Sequence, residues 1–136
     1  MSSEMLFDES HMWVRVEDED TAITGLSDYA QDMMGEVIFV ELPENGGALV
    51  RGDACGTLES VKSVEDLIAP VSAEVIRVNE EVLDAPELVN QDAHGDGWLM
   101  EVKLEDPSEL DSLMTEDEYD TFLDNLEGDL DDDDDF

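Results

Sequence analysis

The chain has 136 residues, 41% of them apolar and 33% charged, with forty Asp and Glu against five Lys and Arg for a net charge of −35. That length fits one domain with a modest core, and the lack of a basic footprint excludes a nucleic-acid-binding role. No run approaches the roughly 20 apolar residues of a membrane span, and a single cysteine excludes an intramolecular disulfide.

In chain order, Met1-Ser2-Ser3-Glu4 has neither a basic region nor a long apolar run, so no secretory signal is expected and the cytoplasm is the default location. Period-two alternation then dominates the first hundred residues. Met12 to Glu17 reads as a strand with Met12, Val14 and Val16 on one face. Thr21 to Leu26 reads as its partner after the acidic turn Glu17-Asp18-Glu19-Asp20. Ser27 can cap a short helix, Asp28 to Met34, that stops at Gly35. Glu36 to Leu42 is apolar on both faces and is expected to be a buried strand. Pro43 to Gly47 carries turn chemistry. Ala54 to Ser60 and Asp66 to Ala69 are strand-like and flank Lys62. Glu74 to Asn79 and the alternating residues from Trp98 to Leu104 complete the strands.

Helices are expected again near the end. Asp106-Pro107-Ser108-Glu109 combines a capping residue, a first-turn proline and an acid, and predicts a helix carrying Leu110, Leu113 and Met114. Thr115 to Glu118 is a second capping box. Tyr119, Phe122, Leu123 and Leu126 have the spacing of one helix face, which should pack on the sheet. Residues 127–136 read as an acidic, flexible tail following a single domain, 1–126. The aspartate run lacks the spacing of a calcium loop.

The acidity itself has two explanations. A charge of −35 strains a small domain in dilute buffer. At molar salt the Debye length is about 3 Å and the repulsion is largely screened. The acids are spread along the whole chain, which favours a surface suited to a salt-saturated cytoplasm. The other explanation is an acidic interaction protein that engages a basic partner. Cys55, between Ala54 and Gly56, reads as a small buried residue and not as a reactive thiol. His11 and His94 are far apart with no ligand cluster, so no metal is expected. There is no catalytic Ser-His-Asp or Cys-His arrangement and no phosphate loop; the expectation is a protein that is not an enzyme.

Only two lysines survive in this chain, Lys62 and Lys103. Lys62 lies between two strand-like stretches that run up to a tip and back, which predicts a flattened β-barrel or sandwich with this lysine at one end. A carrier lysine must be exposed, held at a defined point and mounted on a rigid base, and a tight turn between paired strands meets all three needs. An ordinary surface lysine beside Glu59 and Glu65 would share the spacing.

The wider text decides between them. Glu59-Ser60-Val61-Lys62-Ser63-Val64-Glu65-Asp66, followed by Ala69-Pro70-Val71-Ser72-Ala73-Glu74-Val75, closely resembles the lipoylation segment of the glycine cleavage system H protein family. Ser10-His11-Met12-Trp13-Val14, Gly25 to Gln31, Gly35 to Pro43, Pro86 to Asn90, Gly97-Trp98-Leu99 and Asp106 to Leu110 agree with it in order. The likeness spans about Phe7 to Leu126. The acidity gives it the look of a version from a salt-adapted archaeon.

The resemblance implies a mainly β, barrel-sandwich fold of the lipoyl- and biotinyl-carrier type with short peripheral helices. It implies lipoate, amide-linked to Lys62. It implies a shuttle that carries the aminomethyl group of glycine among three partners: glycine decarboxylase, aminomethyltransferase and dihydrolipoyl dehydrogenase. A lipoyl ligase or transferase would attach the cofactor, and a monomer is expected. The family resemblance further implies a cleft where the loaded arm rests, with Ser10 and Asp66 placed to contact its amine. The family usually has an acid between the His and the Trp of the opening motif; this chain has Met12. The rivals are a lipoyl relay on the same fold, a lipoyl domain of a 2-oxoacid dehydrogenase, and an unmodified acidic interaction protein. A biotin carrier fits less well, because Val61 and Ser63 stand where methionines are usual.

Overall fold

The structure, a computed structural model, describes residues 5–134, with side chains through Leu126. Its elements are β1 (Met5–Phe7), β2 (Met12–Val16), β3 (Thr21–Leu26), α1 (Asp28–Met34), β4 (Val37–Glu41), β5 (Ala48–Leu49), β6 (Ala54–Ser60), β7 (Val64–Ile68), β8 (Ala73–Val78), α2 (Glu80–Asp84), α3 (Leu88–Gln91), β9 (Met100–Leu104), a 3-10 turn (Pro107–Ser112) and α4 (Glu116–Asp134). The strands form an antiparallel six-stranded sheet, β1-β2-β3-β9-β8-β5, and an antiparallel three-stranded sheet, β4-β6-β7. This is the mainly β barrel-sandwich architecture that the sequence led us to expect.

Two apolar clusters hold it together. Met12, Leu49, Leu58, Leu67, Val75 and Met100 are fully or almost fully buried in the larger one. Burying a side chain of this size contributes about 1.5–3 kcal/mol before ordering entropy is set against it. The smaller cluster is Phe7, Trp13, Ile23 and Tyr119, where α4 closes over the outer face of the large sheet. The Phe7 and Tyr119 rings stack at 4.4 Å. Trp13 Nε1 donates to the Ala93 carbonyl at 3.0 Å. A Cβ on Gly25 would sit 2.7 Å from the Trp13 ring, so only glycine leaves that ring its place. Both faces of the start of β2 are therefore buried, Met12 and Val14 inward and Trp13 under α4.

Local signals behave as their chemistry dictates. Ser27 Oγ accepts from Ala30 N, capping α1, and Gly35 ends it with φ 81°. Thr115 N donates to Glu118 Oε1 while Glu118 N donates to Thr115 Oγ1, the two halves of a capping box. Asp106 caps the turn from Pro107 through Ser108 N, but that turn is 3-10 and stops at Ser112, with Leu113 already extended. The helix predicted to carry Leu113 and Met114 is thus cut short. Met114 instead bridges to Phe7, and sheet-like pairing competes successfully with helix propagation there.

Strand β4, expected to be buried on both faces, is not: Ile38 is 46% and Phe39 49% exposed. β4 is an edge strand, and a bulge between Val37 and Phe39 breaks the alternation, so two consecutive apolar residues reach solvent. β1, β5, α2 and α3 carry too few residues for a periodicity signal and were not foreseen. Cys55 is half-buried and its thiol is pushed up to about 11 by desolvation, so it is protonated at neutral pH. The predicted acidic tail, 127–136, lies outside the residues whose side chains are described, although the α4 backbone runs to Asp134.

The histidines are structural. His94 Nε2 accepts from Asp28 N at 2.9 Å, which requires a neutral ring protonated on Nδ1. Burial lowers the His94 pKa from its ordinary 6.5 against the pull of Asp28, Glu116 and Asp92. Burial lowers that of His11 as well, against Asp8. A histidine lowered on folding leaves the unfolded chain with more bound protons, so its contribution is complete above pH 6.5 and is lost as pH falls towards the depressed value. In concentrated KCl the melting temperature should therefore drop between about pH 7 and pH 5.5. The His94→Asn variant should show a shallower drop than the parent, measured by calorimetry.

Candidate functional site

Lys62 stands at the apex of the β6–β7 hairpin and is exposed. The hairpin is paired from Ala54↔Ile68 to Glu59↔Val64, and Leu58 and Leu67 anchor it in the core. Ser60 builds the turn itself. It is buried, and its Oγ accepts from Lys62 N at 3.2 Å and from Ser63 N at 3.1 Å. Its backbone N donates to the Ser63 carbonyl at 2.8 Å. A serine hydroxyl that satisfies two turn amides is a local alternative to a longer backbone turn. It holds the lysine amide in the turn while the Lys62 side chain stays exposed.

Beside this apex lies an open cleft of about 340 Å³. Leu26, Tyr29, Ala30, Met33 and Met34 give it an apolar wall, mostly from α1. Ser10, His11, Ser63, Glu65 and Asp66 give it a polar rim. Ser10 and Asp66, far apart in sequence, thus meet at one cleft, and Ser63 joins it to the lysine. Ser10 Oγ donates to Asp8 Oδ2, so its remaining lone pairs are free to accept. Asp66 is exposed and also borders a second hollow near Cys55 and Thr57. Met12 does not border the cleft; it is wholly buried in the main core. At this position the chain offers packing in place of a carboxylate, and the acids at the rim come from β7.

His11 explains how the cleft keeps its shape at the β2 end. It holds a left-handed backbone, φ 71°, uncommon for a residue with a side chain. Its carbonyl accepts from Ser27 N at 2.8 Å, tying the loop before β2 to the start of α1. Its Nδ1 lies 2.8 Å from Tyr119 Oη, which in turn lies 2.8 Å from Ser27 Oγ. Burial pushes the Tyr119 hydroxyl up to about 12, so it stays protonated between these two partners. Glu65, Tyr29 and Met33 were not singled out in the sequence as cleft residues. Their only signal was proximity to Lys62 for Glu65, and membership of the predicted short helix for the other two.

A hairpin-borne lysine on a two-sheet sandwich, with a cleft alongside, defines a carrier domain of the lipoyl type. Comparison with known proteins makes this specific. The glycine cleavage H-protein family model matches residues 5–126. The glycine cleavage system H protein of Vibrio vulnificus (strain YJ016) is 47% identical over 119 residues, covering 88% of this chain and 94% of that one. That of Rhodospirillum rubrum is 45% identical over 125 residues, covering 92% and 99%. The crystal structure of a glycine cleavage system H protein from Mycobacterium marinum superposes with a TM-score of 0.78 at 31% identity, covering 88% and 95%. The chain belongs to the glycine cleavage H-protein family, and with that membership goes the role of a lipoyl carrier subunit in the glycine cleavage system.

The turn geometry makes a direct prediction. Ser60→Ala leaves two turn amides without their acceptor, at a cost of about 1–3 kcal/mol. Hydrogen exchange should show the Lys62 and Ser63 amides opening faster, with strands β8 and β9 unchanged.

Proposed function

We propose that Lys62 carries lipoate through an amide bond and that the protein is a non-catalytic shuttle, bringing one-carbon cargo derived from glycine to successive enzymes. The observation that carries this reading is the exposed amine of Lys62 on a serine-locked hairpin apex, next to a cleft large enough to shelter a flexible chain. When bound, lipoate supplies a dithiolane that takes up and releases the cargo and a pair of electrons. The chain supplies the rest. Its hairpin fixes the point from which the arm swings, and tethering raises the effective concentration of cargo at each partner.

The cleft residues fit such an arm. The Met33, Met34 and Leu26 wall offers apolar contact, and methionines adapt their shape to a flexible chain. The rim offers acceptors suited to a protonated amine: Asp66, Glu65 and the lone pairs of Ser10. Resting there excludes water from cargo that would otherwise hydrolyse. Asp66 and Glu65 take over the charge pairing that an acid at position 12 would have supplied.

The partners in this reading are glycine decarboxylase, aminomethyltransferase and dihydrolipoyl dehydrogenase, with a lipoyl ligase or transferase for attachment. The working unit is one domain, residues 1–126, acting as a monomer in the cytoplasm. No helix among the described residues is long and apolar enough to cross a membrane.

Intact-mass measurement on protein from its native host under glycine-rich growth tests the attachment. A lipoyl-sized increment should be present and should vanish in Lys62→Ala; an unmodified parent mass overturns the reading. The docking of cargo is tested separately with Asp66→Asn. The methylamine-loaded form of that variant should decay several-fold faster than the parent's, and an equal lifetime would remove Asp66 from the contact.

A further inference from the structure

The hairpin apex does not stand alone, because it leans on the link between α1 and β4. Val61 N donates to the Glu36 carbonyl at 3.0 Å. The stem of Lys62 passes directly over Gly35: a Cβ built there would lie 3.3 Å from Cε, 3.6 Å from Cδ and 3.8 Å from Nζ. Gly35 has φ 81° and ψ −157°, a backbone region essentially reserved for glycine. It therefore does two things at once. It lets the chain leave α1, and it leaves a lane for the lysine's aliphatic stem.

The link itself is pinned from α3 by one side chain. Asn90 Oδ1 accepts from Val37 N at 2.8 Å. Asn90 Nδ2 donates to the Gly35 carbonyl at 2.8 Å and to Gln31 Oε1 at 2.9 Å. The amide's oxygen and both of its N–H groups are thereby engaged. Gly35 and Val37 are held on either side of Glu36, the residue whose carbonyl receives Val61. No other contact described for α3 reaches this link so directly.

We propose that Asn90 and Gly35 are positioning residues for Lys62, fixing where its amine stands when it is acylated. The proposal rests on Lys62 being the attachment site. Within the chain, Gly35 borders the lysine stem and Asn90 holds the link beneath it. Amide formation joins Nζ to the carbonyl carbon of an activated lipoyl group, lipoyl-adenylate; AMP leaves with the bonding pair and a proton departs from nitrogen. A small displacement of the attacking nitrogen is enough to slow such a step by one to two orders of magnitude. Because these residues act by holding the lysine and not by binding the donor, the loss should appear in kcat with KM nearly constant.

The test takes the full chain as substrate of a lipoate–protein ligase with lipoic acid and ATP, followed by intact mass. In parallel, reductive methylation with ¹³C-formaldehyde gives Lys62 and Lys103, the two lysines of the chain, separate NMR signals. Asn90→Ala should lower kcat about tenfold or more, keep KM within about twofold, and move the Lys62 signal while leaving that of Lys103. Gly35→Ala should do the same. Gly52→Ala is the control for backbone strain: Gly52 has φ 89°, yet an added Cβ there meets nothing within 4 Å. It should acylate like the parent. Parent-like kcat and an unmoved Lys62 signal in Asn90→Ala and Gly35→Ala would overturn the proposal. So would a loss in Gly52→Ala equal to that in Gly35→Ala. Should Asn90→Ala not fold, the glycine pair decides alone. Lys62→Arg runs in the same assay: acylation that survives it removes the attachment reading, and the NMR signals then still report whether Asn90 and Gly35 hold the lysine.

Discussion

A flexible arm is useful only if the point it swings from stays still, and in this chain that stillness is an effect of burial. Leu58 on β6 and Leu67 on β7 are sunk in the main core directly below the hairpin tip. Ion pairs could not supply the stiffness. Among the described residues the only close pairs are Arg15 with Glu17 and Arg77 with Glu101, both on the large sheet and neither near the apex. Surface pairs of this kind are worth little in any case. With so few cations, apolar packing and hydrogen bonds carry the anchoring, and the acids are left to face water.

The fold was legible wherever the sequence carried a local reason for it. Thr21 to Leu26 and Asp28 to Met34 are found with the expected bounds, because alternation and a serine cap act within a few residues. The order of β6, turn and β7 followed from apolar stretches on both sides of Lys62. What escaped was decided by long-range context. β1 exists because Phe7 pairs with Trp13 and bridges to Met114. The exposure of Ile38 and Phe39 depends on a bulge and an edge position, and neither leaves a mark on composition. Met114 shows the same conflict from the other side: a sound helix signal yielded to a sheet contact.

The site divides along the same line. Lys62 was singled out by rarity and spacing, and Ser10 and Asp66 through family resemblance; the fold puts the last two on one cleft beside the hairpin that bears the first. Ser60 was readable in principle, since a serine two residues before the apex is a turn signal. Asn90 was not. Its three hydrogen bonds reach Gln31, Gly35 and Val37, more than fifty residues earlier in the chain, and nothing around Val89-Asn90-Gln91 announces them. Gly35 announced only a helix stop; its second task, giving way to the lysine stem, appears once the hairpin is folded beside it.

The scarcity of amines has a further consequence for fidelity. Lys103, the other lysine, sits within β9, a strand paired on both sides, with its backbone flat against the sheet. An acylating enzyme that recognises a protruding bend therefore faces a single decoy side chain, and one of the wrong shape. Where a lysine-rich surface would demand discrimination among many amines, here one other lysine side chain is all there is to discriminate against.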